Sequence, residues 1–349
     1  MRFKRIGVVV CLIVLLSTAG WGQSERFSFI DQHARSAPSY VARDVATLAS
    51  YLAQPTSSDL EKVRSFYVWV TYNIAYDVQA FQQYRPGHYQ PATPNEVLSR
   101  RKAVCQGYAD LFQALCQHYD IKCFVVPGYS KGLNRREPQD ITRGDHAWNA
   151  VKIQDAWYLV DATWGSGGLN EQLQFVKRPN NTYFLTPSEV FIEDHAPLDP
   201  LWQLLECPVP MSAFLEGGKV LQQALASSKR GCKNYGKVRS EYEQQPASER
   251  ELAAAHRAYE YNSTNTSVIV RAYINQAHHL MSSIPATLQG KAAIQEAVTV
   301  QEEALVYLEK AESVLAKVTS AQSTEQERIL QVNLTESRRN LKEMRQALQ

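Results

Sequence analysis

The sequence predicts an α+β domain followed by an all-α helical region, and three observations carry this. Helix-period stripes and alternating strand-like runs interleave up to about Pro210. Strand-like runs then vanish, and the text from Ala247 to Gln349 becomes rich in Ala, Gln and Glu. The 349 residues are also too many for one small core.

Taken in order, Asp44 to Leu52 and Asp59 to Tyr72 read as helices. In the second, Leu60, Val63, Tyr67 and Val70 recur at helical spacing, and Ser58 or Asp59 caps its start. Residues 77–95, with Pro86, Gly87, Pro91 and Pro94, read as a loop. Val104 to Tyr119 reads as a helix, because Val104, Tyr108, Leu111, Phe112, Leu115, Cys116 and Tyr119 make one apolar stripe. Strands are expected at Lys122 to Pro127, His146 to Ile153, Trp157 to Asp161 and Tyr183 to Leu185, with a polar loop from Lys131 to Gly144.

Gly217-Gly218 and Gln244-Gln245-Pro246 punctuate the chain next, so residues 23–215 are expected as one domain, 216–246 as a linker and 247–349 as a helical bundle or coiled coil. Ile294, Ala297, Ala304, Leu308, Ala311, Leu315 and Val318 follow heptad-like spacing, with Gln301 interrupting. Leu330, Leu334, Leu341, Met344 and Leu348 repeat the pattern. With Thr319 to Gln326 as the turn, an antiparallel helical hairpin is expected, with bundle packing the plain explanation and a protein partner the alternative.

Residues 1–22 have the pattern of a signal peptide: basic Arg2, Lys4 and Arg5, an apolar run from Ile6 to Leu16, then small Ala19, Gly20 and Gly22. This leads to the expectation of a periplasmic or secreted protein exported by a bacterial route, with a membrane involved only if the segment is retained. Taking those three residues off the 37 basic ones leaves 34 against 35 acidic, a formal charge of −1 that offers no footprint for nucleic acid. Of the five remaining cysteines, Cys105 is the expected free thiol. Cys116–Cys123 and Cys207–Cys232 are candidate bridges, and five reduced cysteines are the alternative.

Chemistry concentrates in three segments. Cys105 stands in the first turn of its predicted helix, where exposed amides and the dipole favour a thiolate. The amide of Cys105 or Gln106 could also donate to an oxyanion. A hairpin of His146–Ile153 and Ala156–Thr163 across the two-residue turn Gln154-Asp155 pairs Ile153 with Ala156 and puts His146 and Asp161 on one sheet face. An odd turn would put them on opposite faces. Asp161 would then orient His146, and His146 would shuttle the proton of Cys105.

The segments Val104-Cys105-Gln106-Gly107-Tyr108-Ala109, His146-Ala147-Trp148-Asn149-Ala150-Val151 and Trp157-Tyr158-Leu159-Val160-Asp161-Ala162-Thr163-Trp164-Gly165 resemble the transglutaminase-like superfamily. More narrowly they resemble its branch of kyphoscoliosis peptidase and the cytokinesis protein. Val63 to Asp77, Gly128 to Gly132, Tyr183 to Pro187 and Trp202 to Leu205 extend the likeness over about residues 40–215. The resemblance implies a papain-like core, in which a helix-start cysteine packs on an antiparallel sheet carrying His and Asp. It implies Cys105 as nucleophile, His146 as base and acid, and Asp161 as orienting partner, with Trp148, Trp164 and Gln106 lining the substrate side.

The expected function is cysteine-dependent acyl transfer on amide bonds of a protein or peptide, without a cofactor. Hydrolysis is favoured because water is abundant; cross-linking and a non-catalytic interaction scaffold are the alternatives. Cys116, His118 and Cys123 lack paired metal-site spacing. Gly165-Ser166-Gly167-Gly168 lacks phosphate-loop spacing, and Asn-X-Ser/Thr sites such as Asn262-Ser263-Thr264 carry no argument.

Overall fold

A computed structural model describes residues 26–83, 90–132, 141–227, 232, 235–317 and 324–349. The segment read as a signal peptide and most of the loop Lys131 to Gly144 lie outside these residues. The chain divides into two compact units, residues 1–126 with 146–191 and residues 127–145 with 192–349.

The first unit opens with α1 (26–35), a 3-10 turn at Ser39–Arg43, α2 (Val45–Leu52) and α3 (Asp59–Asn73). The Ser58 side chain caps α3, and Asp59 and Glu61 sit in its first turn, where negative charge suits the helix dipole. Its far end is closed by the Lys177 ammonium, which donates to the carbonyls of Tyr72 (2.7 Å) and Ile74 (2.8 Å). Next come β1 (Ala75–Tyr76), α4 (Val78–Gln82), α5 (Pro94–Arg100), β2 (Lys102–Ala103) and α6 (Cys105–Gln117). The stretch 77–95 is therefore not a plain loop. Asp77 caps α4, and Thr93 with Glu96 forms a capping box that starts α5, with a proline in its first turn. Local caps outweighed the proline and glycine signals.

The next elements are β3 (Cys123–Ser130), β4 (His146–Ile153), β5 (Ala156–Val160), α7 (Ala162–Ser166), β6 (Gly167–Leu169), β7 (Phe175–Lys177), β8 (Phe184–Thr186) and α8 (Ser188–Phe191). β3 enters this unit with Cys123–Val126, and the strand order here is β8-β5-β4-β3. β4 and β5 pair antiparallel from Ile153↔Ala156 to Asn149↔Val160 across the turn Gln154-Asp155. That is the expected even turn and register. The pairing ends earlier than expected, because the chain leaves the sheet after Val160 and winds into α7. Leu111, Phe112 and Leu115 of α6 are fully buried with Val151 and Val160, each contributing about 1.5–3 kcal/mol by burial.

The second unit contains the rest of β3, paired antiparallel with β9 (His195–Pro197) through Gly128↔Pro197 and Ser130↔His195. After a 3-10 turn at Pro200–Gln203, it continues as α9 (Met211–Glu216), α10 (Gly218–Ser227), α11 (Tyr235–Gln244), α12 (Ala247–Tyr261), α13 (Thr266–Ser282), α14 (Gly290–Leu315) and α15 (Thr324–Leu348). The stretch 216–246, read as a linker, thus carries two helices. Asp199 is held by a bidentate ion pair with Arg257 of α12. Helices α14 and α15 run antiparallel, as the Glu302–Arg345 and Glu312–Gln331 contacts require. Most of the expected turn, Thr319 to Gln326, lies outside the described residues.

Cys207 and Cys232 form a disulfide with Cα atoms 5.7 Å apart. The other candidate bridge is corrected: Cys116 and Cys123 are free thiols in contact within the core. Burial and the neighbouring thiol push the Cys116 pKa up, so it stays a neutral hydrogen-bonded side chain. Among the described residues no helix is long and apolar enough to cross a membrane.

Candidate active site

Cys105 is the first residue of α6 and is half-buried. Val104, the N-cap, supplies no side-chain acceptor, so no cap side chain occupies the first amides of the helix. The backbone reaches this point from β2, whose Ala103 pairs with Tyr76 of β1. Gly107, in the first turn of the helix, is required by packing: a Cβ there would meet the Ala103 side chain at 2.8 Å.

His146 opens β4 and Asp161 follows the last residue of β5, so the hairpin delivers both to the same end of the sheet. The imidazole Nε2–H donates to Asp161 Oδ2 at 2.7 Å, with His146 8% exposed and Asp161 0%. Asp161 does not sit in a strand as expected. It is the N-cap of α7, and its Oδ1 accepts the amides of Thr163 (2.7 Å) and Trp164 (3.0 Å).

Burial of His146 opposes its charge, but the Asp161 carboxylate and hydrogen bonds with Asp161 and Cys105 outweigh that. The imidazole pKa is held well above the ordinary histidine value of 6.5. The structure thus brings the side chains of Cys105, His146 and Asp161 into one chain of contacts. A thiol, an imidazole and a buried carboxylate in that order can generate a nucleophile and return its proton to a leaving group.

The remaining expected residues differ in setting. Trp148 is 1% exposed and packs on His146 (ring centroids 5.9 Å apart) and Phe191 (5.6 Å). Trp164 is half-buried, 5.6 Å from the His146 ring and edge-on to Tyr183. Gln106 is half-buried, and its Nε2 donates to Asp110 Oδ1 at 2.9 Å, so its side chain is tied along the helix.

One contributor escaped the sequence reading. Tyr67 of α3 counted only as an apolar stripe member, yet its buried hydroxyl donates to the Asn180 carbonyl at 2.8 Å, beside α7. The legible signal was polar chemistry on a stripe otherwise made of Leu and Val.

Residues 46–162 match the family model of the transglutaminase-like superfamily. Mouse kyphoscoliosis peptidase is 42% identical over 169 residues, which are 48% of this chain and 25% of that protein. Hillarin of Drosophila melanogaster is 28% identical over 204 residues, 54% of this chain and 24% of its own length. A solved structure of a TGase is 20% identical, covers 42% of this chain and 36% of the other, and superposes with a TM-score of 0.28. The chain spans about a quarter of the length of the relatives it matches. Matched relatives come from mouse, human, fruit fly, a nematode and fission yeast. These eukaryotic relatives overturn the expectation of a bacterial periplasmic or secreted protein. That expectation rested on the charge and apolarity pattern of residues 1–22 alone, which lie outside the described structure.

Proposed function

Residues 46–162 being a transglutaminase-like domain, we propose that the chain is a cysteine-dependent acyl-transfer enzyme acting on amide bonds of a protein or peptide. Cys105 is its nucleophile, His146 its base and acid, and Asp161 the residue that orients His146. The observation that carries this reading is the two-sided bonding of His146. Its Nε2 is taken by Asp161 Oδ2 at 2.7 Å, and its side chain also hydrogen-bonds Cys105.

With Nε2 engaged, Nδ1 is the nitrogen left for the thiol. His146, whose pKa is held up, takes the thiol proton first, and the Cys105 thiolate it leaves attacks the amide carbonyl carbon. Carbonyl electrons move onto oxygen, to which the uncapped amides at the start of α6 can donate. As the tetrahedral intermediate collapses, the carbon–nitrogen bond breaks, His146 protonates the departing amine, and a thioester on Cys105 remains. Water, deprotonated by His146, then releases a carboxylic acid and restores the thiol. An amine in place of water would form a new amide. Asp161 stays ionised throughout and stabilises the imidazolium.

Iodoacetamide alkylation at neutral pH tests the reading. Cys105 should react faster than an exposed reference thiol introduced as Ser36→Cys, and His146→Ala should remove the difference. Equal rates for the two thiols, unmoved by His146→Ala, sink the proposal. Incubating a peptide mixture in heavy-oxygen water then separates the acceptors. Hydrolysis labels new carboxyl groups, whereas transamidation incorporates a primary-amine probe.

A further inference from the structure

We infer that Tyr67 is a positioning residue for the Cys105–His146–Asp161 site, its hydroxyl fixing the one-turn helix α7 that Asp161 caps. The inference rests on the function proposed above.

The argument begins with how little holds α7. It spans only Ala162–Ser166, and the bond that opens it runs from Gly165 N to Asp161 O at 3.0 Å. So short a helix is not stable alone. Its support comes from residues 178–183, which bond it along its length. Arg178 N donates to Ser166 O, Asn180 N to Gly165 O, and the Asn180 amide side chain to Trp164 O, while Asp161 N donates to Tyr183 O. This wrap is itself anchored to α3 at two places. Arg64 Nη1 donates to Asn181 Oδ1 at 2.8 Å, and the Tyr67 hydroxyl donates to the Asn180 carbonyl at 2.8 Å.

Tyr67 does more than hold the wrap. An added Cβ on Gly165 would lie 2.0 Å from the Tyr67 hydroxyl oxygen and 2.7 Å from its ring carbon, so the phenol end abuts the α7 backbone itself. This explains the glycine four residues after Asp161: the tyrosine occupies the place of its side chain. The ring is fixed in turn by Phe184, with centroids 5.0 Å apart. Burial and the Asp161 charge both keep the hydroxyl protonated, so it acts as a donor and not as an acid–base group. Any shift of α7 moves the Thr163 and Trp164 amides that hold Asp161 Oδ1, and so turns Oδ2 away from His146.

The test compares Tyr67→Phe with Ser65→Ala in the full chain. Ser65 lies on the same helix and donates a buried hydroxyl bond to the Leu52 carbonyl, so its loss matches Tyr67→Phe in kind but points away from α7. Two readouts are taken: the iodoacetamide rate at Cys105, and the titration of His146 by NMR, assigned with His146→Ala. Tyr67→Phe should slow alkylation about tenfold and lower the pH at which His146 loses its proton, because Asp161 no longer faces it squarely. Ser65→Ala should leave both readouts in place. If Tyr67→Phe moves neither, or both variants move them equally, Tyr67 has only a structural role and the inference falls while the proposed function stands. If His146→Ala itself leaves Cys105 alkylation unchanged, the proposed function and this inference fall together.

Discussion

Asp161 divides its carboxylate between two elements: Oδ2 accepts from His146 Nε2 at 2.7 Å, and Oδ1 caps α7 through the Thr163 and Trp164 amides. The orientation of His146 and the start of α7 are thus one structural unit. Asp161→Asn keeps an oxygen for the cap but replaces the acceptor facing His146 with a neutral amide. Cys105 alkylation should fall at least about 100-fold, and stability should drop by what the charged pair contributes at the pH of measurement. Asp161→Ala removes the cap as well and should cost about 1 kcal/mol more. Alkylation rates and thermal unfolding of the two variants, measured side by side, check this. Equal stabilities would mean that the cap bonds do not hold α7.

The His146–Asp161 pair also gives stability a pH dependence of known sign. The folded pKa of His146 lies above its ordinary 6.5, so the folded chain binds the proton more tightly than the unfolded one. The stabilisation is complete below 6.5 and is lost as pH rises through the folded value. Lys177 acts oppositely: burial lowers its pKa from 10.5 to about 8, so stability rises with pH across that interval. Urea unfolding across this range, compared between the parent and His146→Gln, isolates the histidine. The variant should lose the decline above 6.5 and keep the Lys177 rise; an unchanged decline would assign it to another group.

Where the fold was legible, a local rule was also the tertiary rule. Alternation along His146–Ile153 and Ala156–Val160 gave the register because one face of this hairpin is buried, and the Val104–Tyr119 stripe gave α6 because its apolar face meets the core. The strand β9 was illegible: His195–Pro197 is three residues with a terminal proline, formed only by pairing with β3. Helices α10 and α11 hid between glycine and Pro246 signals that read as a linker. At the site, spacing brought His146 and Asp161 to one end of the sheet. It missed Asp161 as a helix cap and Tyr67 as a donor, because both depend on residues 178–183 returning to α3.

The turn that sets this register carries removable strain. Gln154 has φ 55°, the left-handed region that costs a residue with a side chain about 1–2 kcal/mol. Gln154→Gly relieves that cost but gives up some unfolded-state entropy, so a net gain of about 0.5 kcal/mol is expected by thermal unfolding. Inserting one glycine between Gln154 and Asp155 should act oppositely. An odd turn reverses the sheet face of one strand relative to the other, which separates His146 from Asp161. Cys105 alkylation should then fall to the His146→Ala rate. Survival of the fast rate would show that α7, not the hairpin, delivers Asp161.

Gln301, the polar residue that breaks the heptad-like pattern, is matched across the hairpin. It is 2% exposed and donates from Nε2 to Ser337 Oγ at 2.7 Å, and Ser337 is 0% exposed. Ala304, Leu308 and Leu334 are buried in the same apolar layer. Ser337→Ala leaves the buried amide short of an acceptor and should cost about 1–3 kcal/mol. Gln301→Leu should cost less, because a helical serine can bond back to its own backbone. Replacing both together removes the unmet polar group and should bring stability back near that of the parent. A double-mutant cycle by urea unfolding therefore should give a coupling of about 0.5–3 kcal/mol. Zero coupling would mean that the pair does not act as a unit. If the apolar double variant is as stable but associates or loses its single unfolding transition, the pair contributes register, in the way one buried polar residue specifies pairing in a helical seam.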